Sequence, residues 1–130
     1  MKPLNFVFWL INKLNSNEEV NIIEDEISSP IIVDDFANSI IYLLKRNYSG
    51  IYHSAPNICI NRYEFSKKIA EELELNSNLI KPTSNKKLGR NVKTGINKCL
   101  DSSKIQTLTK FKFLTVNESL SLLKKYFLIN

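Results

Sequence analysis

The residues of this chain best placed to do chemistry are cations. From Leu79 to Lys104 the sequence reads LIKPTSNKKLGRNVKTGINKCLDSSK, with Lys81, Lys86, Lys87, Arg90, Lys93 and Lys98 ahead of the first acidic residue, Asp101. A basic, irregular loop entering a helix is a place to hold an anion. Loop cations and the unpaired N–H groups of a first helical turn act there in the same sense. A solvated basic loop has the same composition, and the stretch alone does not choose between the two.

Other chemistry is sparse. None of GxGxxG, the P-loop, HExxH or GxSxG occurs, and Gly50, Gly89 and Gly95 are too scattered to build a glycine phosphate cradle. Cys59, Cys99 and the single histidine, His53, have no metal-ligand spacing, so no metal site is expected. Two cysteines this far apart make no disulfide framework, and a reducing, cytoplasmic compartment is the simpler reading. His53 sits among apolar residues and reads as structural. Glu24-Asp25-Glu26 reads as a solvated acidic loop rather than a cation site. No catalytic residue is expected.

At 130 residues, with 43% hydrophobic and 24% charged residues, the chain fits one domain with a real core. Its net charge of +5 favours a phosphate-bearing ligand. The charge is polarised, with Glu18, Glu19, Glu24, Asp25, Glu26, Asp34 and Asp35 crowded into the first third. That distribution suits a small anion better than a nucleic-acid track, and the basic loop lacks interleaved aromatics, so nucleic acid is not an expected partner. The apolar run Phe6 to Ile11 is flanked by Asn5 and Asn12. It is far short of the roughly 20 residues a membrane span needs and has no cleavage site after it. No membrane or targeting segment is expected.

The elements that must position the loop follow from periodicity and caps. A helix is expected from Pro3 to Asn15, apolar around most of its circumference, which implies that something outside the chain covers it. Glu19 to Ile23 reads as a strand, Glu24 to Ser29 as an acidic loop, and Ile31 to Val33 as extended. Asp34 or Asp35 should cap a helix running to about Arg46, with Phe36, Ile40, Leu43 and Leu44 inward. Ile51 to Ala55 reads as a buried strand and Ile58 to Ile60 as a short extended piece. Asn61-x-x-Glu64 caps a helix over Arg62 to Leu75, with Phe65, Ile69 and Leu73 inward. Leu79-Ile80 is a brief strand before the basic loop. A short helix follows from about Leu100 to Leu108. Thr115-x-x-Glu118 then caps a last helix with Val116, Leu120, Leu123 and Phe127 on one face. The class is α/β with no complete Rossmann unit.

Several segments, in order, resemble the substrate-binding half of the dTDP-4-dehydrorhamnose reductase family of extended short-chain dehydrogenases. Asn5-Phe6-Val7 resembles its NFV. Asp25 to Pro30 followed by Asp35-Phe36-Ala37 resembles its D-Q-x-G-x-P-T and D-L-A. Gly50-Ile51-Tyr52-His53 resembles its G-I-Y-H, and Tyr63-Glu64-Phe65 with Ile69-Ala70 its Y-E-F-A…I-A. Pro82-Thr83 and Asn97-x-x-Leu100-Asp101-x-Ser103-Lys104 resemble its P-[IV]-x and N-x-x-L-D-x-S-K. The regulatory subunit of methionine adenosyltransferase is similar in the same segments. The chain departs from the pattern at Glu26 (Gln in the family), Ser28 (Gly), Ile31 (Thr) and Thr94-Gly95 (Arg-Pro).

The resemblance implies a small substrate-binding lobe, with short strands, about five helices and no Rossmann core, over residues 1–130. It implies a truncated or split NAD(P)-dependent nucleotide-sugar reductase of dTDP-rhamnose or cell-surface polysaccharide synthesis. The implied ligand is a dTDP-sugar, met by Asn5, Phe6, Pro30, Lys93, Asn97 and the start of the Asp101 helix. NADPH or NADH is implied for the complete enzyme and not for this chain. The implied partner is a missing or separately encoded Rossmann domain bearing the glycine motif and the family's Tyr-x-x-x-Lys pair, both expected to be absent here, so no activity is expected from the chain alone. A homo-oligomer is compatible. The alternative is a non-catalytic interaction or regulatory module using Phe6, Phe8 and Trp9.

Overall fold

The computed structural model describes residues 5–90 and 97–128. Helix α1 (Phe6–Asn15) begins where the Asn5 side chain accepts the Phe8 N–H at 3.0 Å, a side-chain cap that satisfies one open donor. The part of this helix expected from Pro3 lies outside the described residues. Leu10, Ile11 and Leu14 are buried, and Phe6, Val7 and Trp9 pack against the same core. The apolar girth of α1 is therefore covered largely by the chain itself, and Phe8 meets the Phe127 ring at 5.6 Å.

Strand β1 (Val20–Ile23) runs parallel to β4 (Ile80–Thr83), with Val20 opposite Ile80 and Ile23 opposite Thr83. A parallel pair needs a long crossover, and here the connection contains α2 (Val33–Lys45) and α3 (Arg62–Glu72). Helix α3 is started by Asn61, whose Oδ1 accepts the Glu64 N–H at 2.7 Å. It buries Ile69 and Ala70 completely, together with Ser66, whose hydroxyl is returned to the Arg62 carbonyl. The last helix, α5 (Val116–Leu128), closes the core with Val116 and Leu120. Its capping box forms in both directions. The Thr115 N–H and hydroxyl donate to Glu118, and the Glu118 N–H donates to Thr115 Oγ1.

A second sheet occupies the segment expected to be an acidic loop. Strand β2 (Ile27–Ser28) lies between β3 (Ile60–Asn61), antiparallel to it, and β5 (Asn97–Lys98), parallel to it. Strands of two residues are too short to show an alternating pattern. Helix α4 (Ser103–Thr109) follows β5 and completes five α-helices among the described residues.

Four expectations fail, each for a physical reason. Helix α2 turns its polar residues inward: Asp35 and Ser39 are buried, while Phe36, Ile40 and Leu44 are exposed, Leu44 by 69%. The inward groups are paired, Asp35 accepting the Leu114 N–H at 2.6 Å and the Ser39 hydroxyl meeting the Phe36 carbonyl and Ser54. Neither Asp34 nor Asp35 is the cap residue, since both lie in the first turn after Ile32. The segment Ile51 to Ala55 forms no strand, because no described strand lies beside it, and Ile51 is 84% exposed.

The fourth concerns the cysteines, which are joined as a Cys59–Cys99 disulfide with Cα atoms 5.6 Å apart. Their 40-residue separation says nothing about space. Cys59 immediately precedes β3 and Cys99 immediately follows β5, and both strands flank β2.

Deleting side chain from a fully covered position leaves a cavity that the neighbours fill only in part. Ile69→Ala should cost about 2–5 kcal/mol in urea unfolding; a change below about 1 kcal/mol would show that α3 is not the packed centre.

Candidate functional site

The second sheet and the ends of α1 and α4 carry the expected site residues. Ser29 is the junction between them. Its backbone continues β2, its hydroxyl donates to the Ile58 carbonyl at 2.7 Å, and its oxygen accepts the Leu100 N–H at 3.1 Å. One side chain thus ties the entry to β3 and the exit from β5 to the peptide that leads into Pro30. Nothing in the sequence distinguishes this serine from Ser28.

Asn97 is exposed on β5, with its Oδ1 accepting the Cys99 N–H at 2.9 Å. Lys98, next to it, reaches across β2 to Glu26 at 2.6 Å. Glu26 also accepts from the Asn85 side-chain amide, whose own backbone N–H donates to Asp25. The acidic run is therefore not simply solvated: two of its carboxylates anchor the start of the basic stretch and β5. The Lys98 contact, with help from Asn85, holds the Glu26 carboxyl below its ordinary range. Lys86, Lys87 and Arg90 are exposed, and Lys93 lies outside the described residues.

At the start of α4, the Asp101 carboxylate accepts both the N–H and the hydroxyl of Ser103. These bonds, with His53 nearby, hold the Asp101 carboxyl below its ordinary range. Asn57 accepts the Ser102 N–H at 2.8 Å and the Ser102 hydroxyl at 2.7 Å. The first amides of the turn are thus met by this chain's own side chains, and Asp101 puts a negative charge where an anion would otherwise sit. His53 is exposed rather than set in a buried strand, and its Nδ1 lies 3.1 Å from the Asp101 carbonyl. Asn57, which belongs to no motif in the sequence, positions this end of the site.

Asn5 and Pro30 line an apolar groove of about 460 Å³ together with Phe8, Ile31, Val33 and Leu123. Phe6 is not on that wall. Its ring lies under the Arg62 guanidinium, 4.9 Å away, and 5.8 Å from Trp9. The structure thus places the expected residues in two groups, Asn5 with Pro30 along the groove and Asn97 with Asp101 on the polar side, linked through Ser29.

A Tyr-x-x-x-Lys spacing does occur, at Tyr63 and Lys67 within α3. Its role here is packing: Tyr63 lies against the core, and Lys67 donates to the Ser77 carbonyl at 3.0 Å with its Nζ 5.9 Å from the Tyr63 ring centroid.

This arrangement is a small α/β lobe with the fold of the substrate-binding lobe of reductase- and epimerase-type enzymes. The fold matches, at a TM-score of 0.84 and 22% identity, a dTDP-4-dehydrorhamnose reductase from Bacillus anthracis solved in complex with NADP, covering 100% of this chain and 45% of that one. A dTDP-4-dehydrorhamnose reductase ortholog from Clostridium acetobutylicum matches at 0.79 and 20% identity, over 98% of this chain and 44% of that one. A spore coat polysaccharide biosynthesis protein of Bacillus subtilis, SpsK, is 30% identical over 80 residues, 62% of this chain and 28% of its own length. The family model for the RmlD substrate binding domain matches residues 1–127, and the chain belongs to that family. It spans less than half the length of these relatives.

Because the folded pKa of Glu26 is lowered, its ion pair stabilises the fold above the ordinary carboxylate pKa. That contribution is lost as pH falls through the lower folded value. The melting temperature of the wild type should therefore fall more steeply than that of Glu26→Gln between about pH 5 and about pH 2. Parallel curves in a thermal melt series would remove this ion pair from the account.

Proposed function

We propose that the chain is the nucleotide-sugar-binding half of a dTDP-4-dehydrorhamnose reductase-like NAD(P)-dependent oxidoreductase, inactive until joined by a body that carries cofactor and catalytic pair. The observation that carries this reading is the family match over nearly the whole chain. The groove beside Asn5 and Pro30 offers apolar walls. The strand bearing Asn97 and Lys98 offers polar groups on the far side of Ser29, with Lys98 paired to Glu26. A ligand with a base or sugar at one end and a diphosphate in the middle has that division of polarity. The chain's own task in the reaction is to bind and orient the sugar nucleotide.

The unmet features of the fold support a second body. The outer stripe of α2, Val33, Phe36, Ile40 and Leu44, is apolar and exposed. Beside it in sequence, Ile51 to Ala55 has the composition of a strand without a sheet. An exposed apolar helix face is what a lobe leaves bare when a neighbouring body belongs over it. The alternative of a non-catalytic interaction module draws on the same stripe, rather than on Phe6 and Trp9, which pack on the core. What separates the two readings is ligand binding.

Calorimetric titration with dTDP and a dTDP-sugar tests the first reading, on the chain alone and with the co-expressed dinucleotide-binding half. Binding that Asn97→Ala weakens by about tenfold, or about 1.4 kcal/mol, is the expected result; absence of heat in both preparations would refute it. In the same system Ile40→Glu should leave the lobe's own stability within about 0.5 kcal/mol while abolishing association with the second half. Unchanged association by light scattering would move the contact off α2.

A further inference from the structure

We infer that Cys59–Cys99 is a redox-operated tether that holds β5 in place, opened by a dithiol reductant. The inference rests on reading β5 as the polar wall of the ligand site. Strand β5 is otherwise weakly held. It pairs with β2 over only Asn97 and Lys98, its ion pair from Lys98 to Glu26 is half exposed at the lysine, and the Leu100 N–H reaches Ser29. The disulfide is the covalent link between the entry to β3 and the exit from β5. It spans the level at which Ser29 bonds to both, past the end of β2. Asn97 lies two residues from Cys99, so what fixes Cys99 bears directly on it, while the Asp101 turn is also held by His53 and Asn57.

The bond is within reach of a reductant, since Cys59 is exposed and Cys99 half-buried. A thiolate of the dithiol attacks Cys59 Sγ. The Cys59–Cys99 bond breaks, and Cys99 leaves with the electron pair as a thiolate that takes a proton from water. The second thiol of the reductant then displaces Cys59 from the mixed disulfide. The protein gains two thiols while the dithiol becomes a disulfide. In a reducing compartment, disulfides that form are mostly transient and regulatory, and one that braces a two-residue strand of low local stability suits that role.

The test is run on the whole chain before and after treatment with dithiothreitol. Intact mass after alkylation should show modification of both cysteines only in the reduced sample. Hydrogen exchange at the Cys99 and Leu100 amides should accelerate by about tenfold on reduction, with Ile22 and Ile80 in the β1–β4 pair unchanged. Affinity for dTDP should fall by about fivefold. The Cys59→Ala/Cys99→Ala double variant should match the reduced wild type with or without reductant. If that variant does not fold, reduced wild type carries the comparison. Free thiols in the untreated chain, unchanged exchange, or equal acceleration in both sheets would overturn the tether. Equal dTDP binding by both forms would overturn its control of the site. Failure of both forms to bind dTDP would refute the ligand reading, while the exchange result would still decide the tether.

Discussion

The fold depends on the contact between α3 and the parallel pair β1–β4. Ile69 and Ala70 have no exposure, and around them gather Leu10, Leu14, Val20, Ile22, Ile80 and Leu120 from four other elements. Alanine at the contact lets the helix backbone come close to the sheet, and Ser66 on the same face removes its polarity by bonding back to Arg62. A parallel pair of four residues a strand has little stability of its own. It persists because one helix covers it and two others brace that helix. The start of the helix is fixed by Asn61, which is also the last residue of β3. One residue therefore sets the core helix and the edge of the second sheet at once.

The second sheet is different in kind. It has two residues per strand, mixed directions and few apolar contacts, and its order comes from side chains that bond across it: Glu26 to Lys98, Ser29 to Leu100 and Ile58, Asn57 to Ser102. Rigid scaffold on one side and polar, lightly held strands on the other is the division expected of a lobe that must receive a ligand. The basic loop is tied into this system at both described ends, by Asn85 and by Lys98. Its charge is therefore partly neutralised by the acidic run that lies far from it in sequence.

What could be read in the sequence was what periodicity and caps encode. The starts of α3 and α5 follow from Asn61 and Thr115, and the family from short motifs in order, whereas α1, expected from Pro3, is capped by Asn5. The two-residue strands could not be read, because two residues carry no period. The cysteine pair was hidden because sequence distance is not spatial distance. Tyr63 and Lys67 were missed as a spacing, and the structure gives them packing roles. The error on α2 is the most instructive. Its 3.6-residue stripe was read correctly as amphipathic, but amphipathicity states that a helix has two faces and not which one meets this chain's own core.

That helix is held inside out. The Asp35 carboxylate is fastened to the Leu114 N–H and the Ser39 hydroxyl to Ser54. Rolling α2 to hide Phe36, Ile40 and Leu44 would strip both partners from buried polar groups. The stripe cannot relax inward, so α2 is a patch of local frustration in an otherwise consistent landscape. Among the described residues nothing relieves that frustration. The polar contacts on the inner side of α2 therefore work as a latch that keeps an apolar face turned outward.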